Sequence, residues 1–379
     1  MAKRKTPIAW HYPRTSLAQT YLRTLDAGLI SSLVLFAPRR KGKTEFLLED
    51  LLPAAESSGY RAVYCSMWQH RTDPLSALLA SFMHAARPRA KLHRRLLLPF
   101  KKTSIEVEVE HLGKLSAEAE FLAREDAEPD RLQRLPELLD AVIAASKGGV
   151  LIAFDEIQHL AKPEFQELVA ALRTTLDLRK KSVKSVFTGS SRHRLQMMFS
   201  QIKAPLFQFS QTTDFPDLDD EFVIFMAAAF QRATRRRLSL SAAHNAFVLL
   251  GRTPGLFHDA IERLMKSGDT DIEEVARHVQ VESHQAAGYA PRLAAMRPLD
   301  RVVLNAVLKK MALYSDESRS KFSTEIGIEG ELLTARQIQV AVERLLSEQI
   351  IYQSGRGQYE IEDHQLAEWL LMVSGDDEV

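Results

Sequence analysis

Apolar positions along the first half of the chain switch repeatedly between two spacings. Short continuous apolar runs, typical of buried strands, alternate with segments in which apolar residues recur every three or four positions, as in helices. The predicted strands cover residues 31–36, 60–67, 150–154 and 185–188, and the predicted helices cover residues 14–28, 45–55, 74–86, 136–145 and about 163–177. This alternation predicts an α/β fold with a parallel sheet.

One segment interrupts this alternation. Residues 87–102 carry basic but no acidic side chains, and two segments of alternating polarity follow on either side of Gly113. The pattern predicts a hairpin insertion at about residues 87–130. Two interpretations of the basic stretch stay open: it could follow a phosphate backbone, or it could pair with the acidic residues of 106–130.

Beyond Pro205 the pattern becomes helical without strands. Helical spacing at residues 219–234, 241–250 and 254–266 predicts a helical subdomain that begins near residue 216. We therefore predict an α/β core at residues 1–215 and a helical subdomain at residues 216–288.

A third unit is predicted after a break at residues 289–298. Helices at about 299–314 and 335–348 precede a hairpin around residues 354–357, and a last helix covers 364–373. Helix, helix and hairpin is the order of a winged helix-turn-helix, which we predict for residues 289–379.

Composition and charge restrict the function classes. Of 379 residues, 45% are hydrophobic and 26% charged, and the net charge is only +1, which excludes a polycation that coats nucleic acid but not a local basic face. The single cysteine excludes an internal disulfide and a multi-cysteine zinc site. No apolar run is long enough to span a bilayer. We expect a cytoplasmic protein without a membrane partner.

The strongest chemical signal follows the first predicted strand. Residues 37–44 read APRRKGKT and fit the phosphate-loop pattern G-x-x-x-x-G-K-[ST], with Ala37 in place of the first glycine. Such a loop cradles phosphates with backbone N–H groups, while Lys43 reaches the β- and γ-phosphates and Thr44 holds Mg²⁺. A plain basic loop is the alternative. The predicted nucleotide-binding residues are Pro38, Arg39, Arg40, Lys41, Gly42, Lys43, Thr44 and Glu45.

A second signal is the apolar strand at 150–154, which ends in Asp155 and Glu156. Asp155 can hold Mg²⁺ directly or through water, and Glu156 can polarise a water for in-line attack on the γ-phosphate. A strand end with a solvated turn is the alternative. Lys43, Glu156 and Ser190 are the predicted catalytic residues, and Thr44 and Asp155 are the predicted metal ligands.

Two weaker signals follow. Residues 185–191 end in small hydroxyl side chains, among them Ser190, which could lie near the attacking water or could form a polar turn that caps the next helix. Residues 251–255 read GRTPG, where Arg252 could reach a phosphate and Pro254 could pack beside the base. A helix–helix turn explains this second segment almost as well.

Together these segments resemble the AAA+/STAND-type P-loop ATPases of the archaeal-ATPase and origin-recognition-like branch. The matching stretches lie at residues 36–46, 151–160, 185–209, 251–264 and 359–370, so the order spans nearly the whole chain. The resemblance implies an AAA+-like P-loop core with a helical lid and a winged helix, ATP and Mg²⁺ as cofactors, and ATP hydrolysis. By position, residues 188–191 correspond to the sensor and Pro254 to the proline of the lid motif.

Two positions depart from the family pattern. Ala37 replaces a glycine, and Gln208 stands where many relatives have an arginine after the Pro-Leu of residues 205–206. An arginine finger therefore stays unassigned. The candidates are Arg192, Arg194, Arg232, Arg235, Arg236 and Arg237.

The predicted winged helix offers a mixed surface. Thr334 would cap a helix whose polar and basic residues could read a DNA groove, and Arg356 would lie on the wing. Glu343 and Glu348 weaken that positive face, so a protein-interaction role is equally open. The residues that could face DNA are Arg336, Gln337, Gln339, Arg344, Gln349 and Arg356.

Three hypotheses follow for function. The first is an ATP hydrolase whose nucleotide state controls engagement of DNA or a protein effector, with homo-oligomerisation open. The second is a weakly hydrolysing ATP-binding scaffold or regulator of a DNA-associated assembly, of the transposition or defence type. The third is a transcription-factor-like DNA binder whose core is only structural.

Overall fold

The computed structural model describes residues 9–87, 128–210, 212–268, 271–328 and 332–376. The chain forms two compact units, Met1–Asp217 and Leu218–Val379. The predicted hairpin insertion and its basic stretch lie almost wholly outside the described residues.

A parallel sheet forms the centre of the first unit. Its strands are β1 (Ser32–Phe36), β2 (Arg61–Ser66), β3 (Val150–Asp155), β4 (Val183–Gly189) and β5 (Thr212–Asp214). They pair in the order β2-β3-β4-β1-β5. Every residue of β1 and β3 is buried, as expected for strands that helices cover on both faces. Because β4 lies between β1 and β3, the carboxyl ends of these three strands are neighbours.

Helices cover both faces of this sheet. One face packs against the helices at residues 15–26 and 43–57, and the other packs against the helices at residues 74–86, 128–144 and 166–177, as the two apolar cores show. The helix α2 begins as Lys43–Glu45, widens into a π-helical turn over Phe46–Leu51 and ends as Leu52–Ser57. The other helices are α1 (Thr15–Asp26), α3 (Pro74–Ala86), α4 (Glu128–Ala144), α5 (Gln166–Asp177) and α6 (Arg192–Phe199), with 3-10 turns at Ile157–Ala161 and Pro163–Phe165.

Three details of the first unit differ from the sequence-based expectation. The helix α1 ends at Asp26 and not at residue 28, and α4 begins at Glu128, so Pro136 lies inside this helix and does not start it. The strand β5 was not predicted, since three residues of sequence Thr-Thr-Asp carry no apolar run.

The second unit is helical apart from one hairpin. Among the residues that the structure describes it contains α7 (Asp220–Thr234), α8 (Leu240–Leu249), α9 (Pro254–Ser267), α10 (Ile272–Ala287), α11 (Tyr289–Ala295), α12 (Pro298–Leu308), α13 (Asp316–Glu325), α14 (Ala335–Ser347), β6 (Ile351–Gly355), β7 (Gln358–Ile361) and α15 (His364–Asp376). The strands β6 and β7 pair antiparallel.

The carboxyl-terminal part of this unit has its own apolar core. Side chains of α12, α14 and α15 and the first residue of β6 fill it, including Leu304, Val342, Ile351 and Leu366. The helix α14 begins with a reciprocal capping box in which Thr334 and Gln337 satisfy each other's backbone N–H groups. This arrangement agrees with the elements of a winged helix-turn-helix, which stays a prediction.

Sequence patterns misjudged several helices of the second unit. The helix predicted at 299–314 ends at Leu308, where Lys310 takes a left-handed φ of 54°. Ser315 then caps the unpredicted helix α13, whose largely polar sequence has little helical periodicity. The helices α10 and α11 were also missed, and α11 lies where a break was expected. Within the described residues, no helix has the length and apolar character needed to cross a membrane.

Candidate nucleotide site at the carboxyl edge of the sheet

The loop between β1 and α2 curls back on itself before the helix begins. Arg40 and Gly42 take left-handed φ angles of 64° and 82°, whereas Ala37 does not. The Phe46 N–H donates to the Gly42 carbonyl at 2.9 Å, so the helical hydrogen-bond ladder starts directly at the loop. Alanine therefore fits at position 37 without strain, and glycine is favoured at position 42 because a side chain makes positive φ costly.

Lys43 points into this loop. Its Nζ donates to the carbonyl oxygens of Ala37 at 2.6 Å and Pro38 at 2.8 Å, and the residue is 5% exposed. Burial lowers the pKa of Lys43, while the nearby carboxylates of Glu156 and Asp155 oppose that shift. The ammonium is thus held in the hollow of the loop, with two carboxylates close by.

Asp155, the last residue of β3, accepts hydrogen bonds from side chains of three other elements of the sheet and its helices. Thr44 Oγ1 donates to its Oδ2 at 2.6 Å, and Tyr64 of β2 donates to the same oxygen at 2.9 Å. The hydroxyl of Thr188 in β4 donates to Oδ1, which also accepts from the Glu156 N–H at 3.1 Å. Asp155 is 2% exposed, and each of its oxygens has two donors.

The side chains of Thr44 and Asp155 have the chemistry of magnesium ligands. Mg²⁺ prefers hydroxyl and carboxylate oxygens and usually takes only one or two protein ligands, with phosphates and waters completing its shell. The Thr44 hydroxyl and the Asp155 carboxylate already lie in contact at the mouth of the loop. A cage of three or more His, Cys, Asp or Glu side chains is not found among the described residues.

Glu156 has an unusual backbone and a fixed carboxylate. Its φ of 56° is rare for a residue with a side chain, a conformation that costs of order 1–3 kcal/mol. Its Oε2 accepts from the Ser190 hydroxyl at 2.8 Å and from the Gln158 side-chain amide, which also donates to Ser190 at 3.1 Å. The carboxylate is thus tied to the end of β4 and to the 3-10 turn that follows β3.

The other predicted site residues of the first unit have separate partners. Glu45 pairs with His11 Nδ1 at 3.0 Å, and the buried Lys41 pairs with Asp217 at 3.0 Å. The exposed Arg39 lies over the Trp68 ring, with its Cζ 5.3 Å from the ring centroid. The structure therefore brings together Lys43, Thr44, Asp155, Glu156 and Ser190.

Two predicted residues lie in the second unit. Arg252 takes a left-handed φ of 48° in the turn between α8 and α9, and Pro254 is the first residue of α9. The buried Thr253 donates its hydroxyl to the Gly251 carbonyl at 3.3 Å. A helix–helix turn accounts for this geometry, and a nucleotide-sensing role for Arg252 and Pro254 stays a prediction.

Two of the finger candidates are already engaged within their own unit. Arg192 forms an ion pair with Asp214 and lies 4.1 Å from the Phe36 ring centroid. Arg236 donates to the Leu264 carbonyl at 2.6 Å.

Sequence reasoning missed two residues of the site, Tyr64 and Gln158. Tyr64 is an ordinary strand residue, and only the register of β2 against β3, with Ser66 opposite Asp155, brings its hydroxyl to that carboxylate. Gln158 lies two positions after Glu156 in a 3-10 turn and is 3% exposed. The one available signal was its position two residues after the acidic pair.

Comparison with solved structures identifies the class of fold. The chain is similar to the Walker-type ATPase Paby2304 of Pyrococcus abyssi, with 17% identity, a TM-score of 0.58, and coverage of 94% of this chain and 95% of that one. It is also similar to the ADP form of the ORC2 protein of Aeropyrum pernix, with 14% identity, a TM-score of 0.54, and coverage of 96% and 92%. No protein-family model and no curated protein matches the chain. These likenesses confirm the predicted core fold, a parallel sheet of the AAA+-like P-loop type flanked by helices, while the winged helix stays a prediction.

Proposed function

We propose that this protein binds ATP with Mg²⁺ at the carboxyl edge of β1, β3 and β4 and hydrolyses it. The observation that carries the proposal is the 2.6 Å hydrogen bond between Thr44 and Asp155, which joins two motifs 111 positions apart in the chain. A basic loop or a solvated strand end alone would not require this contact. The ADP and ADPNP forms in which the ORC2 protein was solved support a nucleotide as the ligand.

The phosphate loop supplies the binding chemistry. The Lys43 ammonium is already desolvated, so exchanging its two carbonyl partners for phosphate oxygens costs little hydration. The amino end of α2 adds partial positive charge at the same place. When bound between Thr44 and Asp155, Mg²⁺ would neutralise charge on the phosphate oxygens.

Glu156 supplies the base. Its carboxylate accepts a proton from a water while that water's oxygen forms a bond to the γ-phosphorus and the bond to the β,γ-bridging oxygen breaks. The products are ADP and inorganic phosphate. Ser190 and Gln158 fix the carboxylate by donating to its Oε2.

A second candidate is an ATP-binding scaffold that hydrolyses slowly. The same contacts favour it, because a carboxylate held by two donors is a weaker base until one donor leaves. Arg192, a candidate finger, is tied to Asp214. A finger from a second copy of the chain or from a partner would then be needed for turnover.

We further propose that nucleotide state controls engagement of DNA or a protein effector through residues 289–379. Several residues expected to face DNA have internal roles: Gln337 caps α14, Gln339 bonds Tyr314 and Glu343, and Arg344 pairs with Asp300. Direct contact would fall to the exposed Arg336, Gln349 and Arg356. The buried thiol of Cys65 suits a reducing compartment such as the cytoplasm.

Two measurements test the proposal together: the shift in thermal midpoint caused by MgATP, and the release of phosphate. We expect MgATP to raise the thermal midpoint of the wild type, and Lys43→Ala to abolish this shift and phosphate release. Lys181→Ala, at an exposed lysine on the opposite edge of the sheet, is the matched control and keeps both. Strong stabilisation by ATP without phosphate release would favour the scaffold, and neither effect in the wild type would reject the site.

A further inference from the structure

The loop after β2 carries an exposed indole against two arginines. Trp68 is 40% exposed, and the guanidinium of Arg71 stacks on it, with its Cζ 3.3 Å from the ring centroid. Arg39 of the phosphate loop lies near the same ring at 5.3 Å, and the His159 ring meets it edge-on at 4.6 Å. An aromatic face and two guanidinium planes thus meet at one place on the surface, beside the proposed ATP site.

The positive charges of Arg39 and Arg71 are not neutralised by acidic residues of the loop after β2. Asp73, the acidic residue closest in sequence to Arg71, accepts from Arg131 with both oxygens and caps α3 through Ser76. Within the described residues, neither Arg39 nor Arg71 forms an ion pair. Burial, followed by the charges of Arg194, Arg71, Arg39 and Lys162, lowers the pKa of His159 to about 4, so the imidazole is neutral and the field around it is positive.

From this juxtaposition we propose that Trp68, Arg71 and Arg39 form a binding site for single-stranded nucleic acid. An indole with adjacent guanidinium groups offers a stacking surface for an unpaired base and cations for the neighbouring phosphates. A duplex keeps its bases stacked inside, so it could use the arginines but not the indole. An acidic peptide would likewise leave the indole unused.

The position of Arg39 links this site to the nucleotide. Arg39 belongs to the phosphate loop, and its charge acts on Lys43 as well as on His159. A residue of the proposed phosphate-binding loop is therefore also part of the proposed nucleic-acid site. ATP and single-stranded nucleic acid should therefore each change the protein's affinity for the other by the same factor.

The test is fluorescence anisotropy of fluorescein-labelled (dT)20 with the full chain, with and without MgATP, at several KCl concentrations. We expect Trp68→Ala to weaken binding at least about 5-fold, and Trp68→Phe to retain most of it. Arg71→Ala should weaken binding and reduce the slope of log affinity against log salt by about one. Lys181→Ala is the charge-matched control and should bind like the wild type.

This inference deepens the nucleic-acid part of the proposed function, and its failure is separable from that of the ATP site. Trp68→Ala should keep the ATP-induced shift in thermal midpoint, which also shows that the variant is folded. The inference is overturned if the wild type does not bind (dT)20 in either state, or if Trp68→Ala binds as tightly as the wild type. Tighter binding of a (dA·dT)20 duplex or of a 20-residue poly-glutamate would also overturn it, in favour of a duplex or an acidic protein.

Discussion

The hydroxyl of Ser190 donates to Oε2 of Glu156 at 2.8 Å, although 34 positions separate the two residues. The side-chain amide of Gln158 donates to both Glu156 and Ser190. The carboxylate that we propose as the base is therefore positioned by the end of a neighbouring strand and by a buried amide. Asp155 and Glu156, the two acids of one strand end, therefore have different side-chain partners.

Gln158→Leu tests this positioning. The change keeps the side-chain volume but removes the donor to Glu156, so we expect kcat to fall about 10- to 100-fold while KM for ATP changes little. Steady-state phosphate release measures both constants. Gln166→Leu, at an exposed glutamine of α5, is the control and should behave like the wild type. A rise in KM as large as the fall in kcat would point to a general disturbance of the fold.

Gly189→Ala tests the space that Gln158 needs. An added Cβ would lie 2.7 Å from Oε1 of Gln158 and 2.8 Å from Leu195 Cδ2, both in the packed interior. We expect a loss of about 1–3 kcal/mol in the free energy of unfolding, together with slower turnover. Urea denaturation measures the first effect. Gly355→Ala is the control, since the nearest atom to its Cβ is the flexible end of Gln358 at 3.0 Å, and a loss as large as that of Gly189→Ala would contradict the packing argument.

The phosphate loop predicts opposite outcomes for its two ends. Gly42→Ala places a side chain at φ 82°, a backbone cost of about 1–2 kcal/mol, although no atom lies within 4 Å of the new Cβ. We expect weaker ATP binding by titration calorimetry. Ala37→Gly should retain binding, because residue 37 does not use positive φ. Equal losses in both variants would contradict the argument that positive φ matters at position 42 and not at position 37.

The contact between His11 and α2 predicts a pH dependence of stability. His11 pairs with Glu45 at 3.0 Å and Asp50 at 3.2 Å. Burial alone would lower its pKa, but hydrogen bonds to Asp50 and Glu45 outweigh this and raise the pKa from 6.5 to about 9. A folded pKa above the unfolded one means that the stabilisation is complete below pH 6.5 and is lost as pH rises through 9.

His11→Gln measures that contribution. At pH 6 we expect the variant to be less stable by about 1–2 kcal/mol in urea denaturation, and near pH 10 the difference should shrink toward zero. A difference that stays constant between these pH values would show that the imidazolium charge is not what holds His11 against α2.

Local patterns predicted much of the core. The strands β1 and β3 are continuous apolar runs because both of their faces are buried, and Lys43, Thr44, Asp155 and Glu156 lie where such strands end. The contacts among them need the strand order, which places β4 between β1 and β3 and so brings Ser190 to Glu156. The pairwise register of strands is a long-range property that periodicity does not encode.

The missed features share a physical cause. The role of Gln158 depends on the left-handed φ of Glu156, which no local preference of glutamate favours. Tyr64 depends on the register of β2. The helix α13 is held by its Ser315 cap and by the burial of Phe322, and its composition is otherwise polar. Tertiary context decides each of these cases.

Single-turnover hydrolysis by Glu156→Gln is the most direct test of Glu156 as the base for ATP hydrolysis. We expect this variant to keep the thermal stabilisation by MgATP that is expected of the wild type, because Lys43, Thr44 and Asp155 are intact, and its rate of phosphate release to fall at least about 100-fold. Phosphate release at the wild-type rate would contradict the assignment of Glu156 as the base, and loss of ATP stabilisation would contradict the separation of binding from chemistry.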